Sequence, residues 1–288
     1  MIDWKKYVDH IYILTNTCKD TNKLNIFFNE LNNVNIDIND ISFVTVFTNI
    51  NSPIYDAIYY NYFEGGASDA AEKYQSGDKV LYCLLGHYYL CKLAESKKYE
   101  RIMILEDDVS FLKDHTLIEQ ILNKLYADDF DIAIELSSDE NYNNIKNNII
   151  SIHHTDHPNE MLAGSLANIY SKRGYEEIIY LIEGEKINFA IDEYHLYYDG
   201  LKIVYPSIPF CVSNESEIMY SYVKEYYNSL LSLTDKKILE YYKFLSSNFY
   251  VIGRSKNDIY NAFCNYLEYH NKKDQFINEY NAIKEKIM

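Results

Sequence analysis

The sequence predicts an α/β protein with a mostly parallel central sheet, followed by an α-helical C-terminal region. Three observations carry this. Apolar runs of strand length alternate with stretches of helical periodicity, the pattern of successive β–α units. One run, Ile102 to Leu105, shows no polar alternation and so suits a strand covered on both faces. From Glu215 onward only helical patterns remain, and ten Lys plus Arg there balance ten Asp plus Glu, so the whole net charge of −16 lies before that point. A change of domain near residue 215 divides the chain into 1–214 and 215–288.

In chain order, DHIYILT (9–15) reads as the first strand, and the polar NTCKDTNK as a loop running into a helix from about Leu24. Ile41 to Thr48 is a second strand. The irregular stretch from Asn49 to Gly77, with Gly65, Gly66 and the tyrosines 55, 59, 60 and 62, suits a long loop near a site. From Lys79 to Lys97 apolar residues recur at helical spacing, giving an amphipathic helix that leads into the strand at Arg101 to Leu105. A helix at Leu117 to Tyr126, a strand FDIAIEL (130–136) and a short strand at Ile149 to Ile152 follow. AGSLANIYSKRGYEEIIYLI (163–182) reads as strand, Ser/Lys/Arg/Gly turn, then helix, and LKIVYP (201–206) as another strand.

Composition narrows the function classes. With 48% hydrophobic residues and 31 Tyr, the chain has ample material to offset the entropy of ordering it. No aliphatic run approaches the ~20 residues of a membrane span, and MIDWKKYVDHIYILT lacks a signal-peptide pattern, so the expected compartment is the cytoplasm. The acidic balance excludes a nucleic-acid partner, whose phosphates call for Lys and Arg excess. A neutral C-terminal region without a polybasic patch limits membrane contact to the periphery, through C-terminal helices that could also serve a homo-oligomer. Five cysteines, Cys18, Cys83, Cys91, Cys211 and Cys264, never fall as CxxC, which reads as buried free thiols.

The chemistry is expected where the aliphatic run of RIMILEDDVSF (101–111) stops at Glu106, Asp107 and Asp108. Open α/β sheets gather ligands beyond the carboxyl ends of such strands. In extended chain Glu106 and Asp108 point the same way, and clustered carboxylates repel unless a cation or a raised pKa relieves them. Mg²⁺ or Mn²⁺ would take one or two such carboxylates together with water and substrate phosphate. The plainer alternative is a solvated strand end with Asp108 capping a turn.

GDKVLYCLLGHYYLCKLAESKKYERIMILEDDV (77–109) resembles glycosyltransferase family 25, the lipooligosaccharide galactosyltransferases, through the Gly86-His87 pair in a helix, the spacing to the next strand and the terminal EDDV. DHIYILTN (9–16), AGSLANIYSKRGYEEII and IDEYHLYYDGLKIVYPSIPF (191–210) add looser matches, and the resemblance spans roughly residues 7 to 212. It implies a Rossmann-like, nucleotide-sugar-binding glycosyltransferase A-type fold, which transfers galactose from UDP-galactose to bacterial surface glycans or protein-linked sugars. It further implies Mn²⁺ (or Mg²⁺) on Glu106 and Asp108, with Thr15, Asn16, Gly86, His87 and Asp107 around the nucleotide sugar. Where the family often carries arginines after the first strand, this chain has Asn16, Lys19, Asn22 and Lys23.

Asp192, or its rival Glu193, would be the base that deprotonates the acceptor hydroxyl, and Asp192 reads also as an N-terminal acid on the short helix that follows. His195 is a third metal ligand or a surface residue. His87 either reaches the donor or is a core histidine beside a packing glycine. HHTDH (153–157) lacks metal-site spacing and reads as a loop. The alternatives to galactose transfer are another donor such as UDP-glucose, a scaffold that kept the fold without turnover, and an acidic metal-binding protein.

Overall fold

The structure is a computed structural model that describes residues 1–15, 21–37, 39, 41–45, 78–107, 109–135, 144, 147, 149–154, 166–184 and 200–213. The loop at 49–77, the region 215–288 and the candidates Asn16, Asp108, Asp192, Glu193 and His195 lie outside the described residues.

Among the described residues, a 3₁₀ turn (Trp4–Lys6) precedes β1 (His10–Thr15), α1 (Thr21–Asn33), β2 (Ile41–Thr45), α2 (Asp78–Lys97), β3 (Arg101–Glu106), β4 (Val109–Phe111) and α3 (His115–Ala127). Then come β5 (Ile132–Ile134), β6 (Ile152–His154), β7 (Ala167–Ser171), α4 (Lys172–Gly184), β8 (Ile203–Pro206) and β9 (Cys211–Ser213). Seven strands form one sheet in the order β2-β1-β3-β7-β5-β8-β6, while β4 and β9 pair separately. The sheet is mostly parallel: β7 and β6 alone oppose the common direction. The chain adds β2 on one side of β1 and β3 on the other, which makes the carboxyl ends of β1 and β3 the rim of a topological switch point.

The unalternating runs are buried on both faces, as their composition predicts. Ile11, Ile13, Met103 and Leu105 pack with Phe27 and Leu31 of α1 and Ile118, Ile121 and Leu125 of α3. Their alternate neighbours Tyr12, Leu14, Ile102 and Ile104 pack with Leu84, Leu90 and Ala94 of α2 and Tyr175, Ile178 and Ile182 of α4. Period-two geometry thus divides each strand between two cores. α2 lies close on the sheet because Gly86 carries no side chain; a Cβ there would sit 2.4 Å from Leu14 Cδ1. The approaching group is a side chain, so Gly86 acts in packing α2 against β1.

Local chemistry sets the helix starts. The Asp114 carboxylate accepts from Leu117 N at 3.1 Å and caps α3. The Ser/Lys/Arg/Gly segment expected as a turn is the first turn of α4: Ser171 Oγ accepts from Gly174 N at 3.1 Å, and β7 runs straight into the helix. A Cβ on Gly174 would meet the Asp131 carbonyl oxygen at 2.2 Å, so only glycine lets the helix start so close to the backbone entering β5. β6 falls two to three residues later than the expected strand at 149–152. No described helix is long and apolar enough to cross a membrane.

Candidate functional site

β1 and β3 end side by side at the switch point, and their last residues meet. Thr15, buried at the end of β1, donates from Oγ1 to Asp107 Oδ2 at 2.5 Å. Asp107 directly follows β3 and is half-buried. Glu106, the last residue of β3, is also half-buried; its backbone N–H donates to Leu166 O at 2.8 Å, and its Oε1 accepts from Cys83 Sγ at 3.4 Å. The two described acids therefore diverge as strand geometry requires, Asp107 toward β1 and Glu106 toward α2.

Beneath Glu106, α2 presents Cys83 and His87 four residues apart, hence on one face of the helix. His87 is fully buried, and its Nδ1 lies 3.0 Å from Tyr170 Oη on β7. Asn168 Nδ2 donates to the same phenol oxygen at 3.3 Å. Burial lowers the His87 pKa to about 3, keeping the ring neutral, and raises the Tyr170 phenol well above its ordinary value. His87 Nε2 and Asn168 Oδ1 have no hydrogen-bond partner among the described residues. Cys83, His87 and Glu106 offer ligand atoms that all lie within 4.8 Å of one another.

The chain beyond the acids is held by two buried carboxyls. Glu30 on α1 accepts from Phe111 N of β4 at 3.0 Å, and Glu135, just past β5, accepts from Phe210 N at 2.9 Å beside β9. Burial raises Glu30 to about 8 against the opposing Phe111 N–H and Lys113. It raises Glu135 well above the usual range against the Phe210 and Cys211 N–H groups. Phe111 and Phe210 stack with centroids 6.4 Å apart, and Trp4 packs on both rings. A small apolar block thus fixes β4 and β9 below the switch point.

The structure brings Thr15, Gly86, His87, Glu106 and Asp107 to the carboxyl end of the sheet. Gly86 and His87 reach it from inside the core. His153 and His154 are exposed and separate: His153 contacts Ser151 Oγ at 2.9 Å and stacks on Tyr205, while His154 pairs with Asp128 at 3.1 Å. Cys91 and Cys211 are buried thiols outside any disulfide, but Cys83 is only half-buried and faces Glu106. Sequence reading passed over Cys83, Asn168, Tyr170, Glu30 and Glu135. The four-residue spacing of Cys83 and His87 was the available signal for the first of these.

No known protein-family model matches the chain, and no curated protein matches it either.

Proposed function

We propose that the protein is an inverting, metal-dependent glycosyltransferase of the Rossmann-like A-type fold, moving galactose from UDP-galactose to a surface-glycan or protein-linked sugar acceptor. The observation that carries this is the Thr15–Asp107 hydrogen bond, which ties the acid cluster to the switch point where open α/β sheets hold nucleotides. The donor set fits a hard cation, since the half-buried carboxylate of Glu106 supplies oxygen ligands at a strand end. Glu106 and Asp108 would hold Mn²⁺ or Mg²⁺, and Asp107, steadied by Thr15, would face the ribose. When bound, the metal supplies positive charge against the diphosphate of the leaving group.

The reaction is a single displacement. The acceptor oxygen forms a bond to the anomeric carbon, the bond from that carbon to the UDP oxygen breaks, and the acceptor proton passes to Asp192 or Glu193. The apolar block of Phe111, Phe210 and Trp4 keeps the backbone after the acids in place while UDP departs.

UDP release from a panel of UDP-sugars with Mn²⁺, with and without EDTA, tests this against Asp108→Asn. The expected result is metal-dependent release from UDP-galactose, lost in the variant; release from UDP-glucose instead would change the donor and keep the class. No turnover together with no metal-dependent UDP binding by calorimetry would overturn the proposal in favour of a scaffold.

A further inference from the structure

We infer that Cys83, His87 and Glu106 form a second cation site, selective for zinc-class ions, that ties α2 to the end of β3. Three independent features converge on it. The first is geometry. A tetrahedral zinc centre with bonds of about 2.0–2.3 Å holds its ligand atoms roughly 3.3–3.8 Å apart. Cys83 Sγ and Glu106 Oε1 are 3.4 Å apart, and all three ligand atoms fall within 4.8 Å, so small rotamer changes close the set.

The second is the unused imidazole nitrogen. A buried polar atom without a partner costs about 1–3 kcal/mol, and such atoms in folded proteins ask for an explanation. Among the described residues, His87 Nε2 is such an atom. Tyr170 Oη faces Nδ1 at 3.0 Å, and Asn168 Nδ2 donates to that oxygen at 3.3 Å. With the proton on Nδ1 directed at Tyr170, Nε2 presents its lone pair, the arrangement by which an outer hydrogen bond orients a metal-bound histidine.

The third is ligand chemistry. A thiolate and an imidazole beside one carboxylate favour zinc over Mn²⁺ or Mg²⁺, which prefer oxygen donors. On binding, the Cys83 thiol releases its proton to solvent and the sulfur lone pair forms the bond to the ion. Three protein ligands leave a fourth position, and half-buried Cys83 and Glu106 leave the ion a way in.

This site differs from the donor-metal site proposed above, on which it does not depend, in two of its three ligands and in its ion. Glu106 belongs to both, so the test relies on Cys83, which only the zinc site needs. Reduced, full-length protein is titrated with zinc chloride and separately with cobalt(II), reading bound metal and the sulfur-to-cobalt charge-transfer absorption. The expected result is one equivalent of metal with that absorption. Cys83→Ser should lose the band and bind zinc at least tenfold more weakly, and Tyr170→Phe should weaken binding about 10- to 100-fold, the range for outer-shell partners. Circular dichroism confirms that each variant is folded.

An absent charge-transfer band, or zinc affinity equal in wild type and folded Cys83→Ser, overturns the inference. Mn²⁺-dependent UDP release by the wild type without zinc binding would leave the glycosyltransferase reading intact and remove this one. Zinc binding without any UDP turnover or binding would do the reverse.

Discussion

Asp9 and Asp131 sit where β1 and β5 begin, and both direct their carboxylates at backbone. Asp9 Oδ2 accepts from Glu100 N at 2.7 Å and Arg101 N at 2.9 Å; Asp131 Oδ2 accepts from Lys202 N at 2.8 Å, with Arg173 Nη1 at 3.4 Å. At the opposite edge the buried polar groups are incompletely used. His87 Nε2, Asn168 Oδ1 and Glu135 Oε1 there, like Ser110 Oγ and Glu30 Oε1 deeper in the core, lack partners among the described residues. The acids of the amino edge lace strand ends together, whereas the carboxyl edge keeps a neutral carboxyl, a neutral imidazole and unpaired acceptors in the core. Such groups persist where a ligand completes them or where they hold a site in shape. The contrast supports placing the candidate site at the carboxyl edge without reference to any motif.

Substitutions at the two edges should therefore separate binding from stability. The largest effect is expected from Asp108→Asn, which should lower transfer about 10²- to 10³-fold in a steady-state UDP-release assay, the loss seen when one group that stabilises developing charge is removed. Unchanged turnover would break the assignment. At the other edge, Asp131→Ala leaves Lys202 N without its acceptor and Arg173 Nη1 without its ion-pair partner, and should cost about 1–3 kcal/mol in urea unfolding, with UDP affinity unaltered. Gly174→Ala should act similarly, because the obstructing atom is a backbone carbonyl.

The raised carboxyl of Glu30 gives the core a pH signature. Glu30 titrates near 8 when folded and near the ordinary carboxyl value when unfolded, so between those values the folded state holds a proton that the unfolded state has lost. Its stabilising contribution is fully present at low pH and declines as pH rises toward 8. The unfolding free energy from urea denaturation should fall across that window by on the order of a few kcal/mol, and Glu30→Gln should flatten the curve. A midpoint rising from pH 5 to 8, with the slope unaltered in Glu30→Gln, would contradict the burial argument. The smallest effect is expected from Thr15→Val, which removes the donor to Asp107 without changing shape and should weaken metal-dependent UDP binding roughly tenfold, about 1.4 kcal/mol.

These edges were unequally legible in the sequence. β1 and β3 could be read because Tyr12, Ile13, Ile102 and Leu105 are apolar without alternation, and burial on both faces selects that composition. β4 and β9 could not. Each is three residues long and is anchored by Glu30 or Glu135, some 81 and 75 residues away along the chain, which no local pattern records. The antiparallel direction of β7 was equally hidden, since strand direction depends on where the chain re-enters the sheet. Ser171 to Gly174 looked like a turn because Ser and Gly also cap helices, and only the approach to the Asp131 carbonyl distinguishes the two. At the site, strand alternation correctly separated the faces of Glu106 and Asp107. It could not show that Cys83 and His87 lie under Glu106, because that depends on how α2 docks through Gly86 onto Leu14.

Paramagnetic broadening by Mn²⁺ with UDP, read on assigned backbone amides, tests the central contrast most directly. Amides of Leu14, Thr15, Asp107 and Val109 should broaden on addition of both, while those of Glu100, Arg173 and Lys202 at the opposite edge stay sharp. Broadening centred on the amino edge, or none at all with UDP and Mn²⁺ present in excess, would contradict the placement of the functional site.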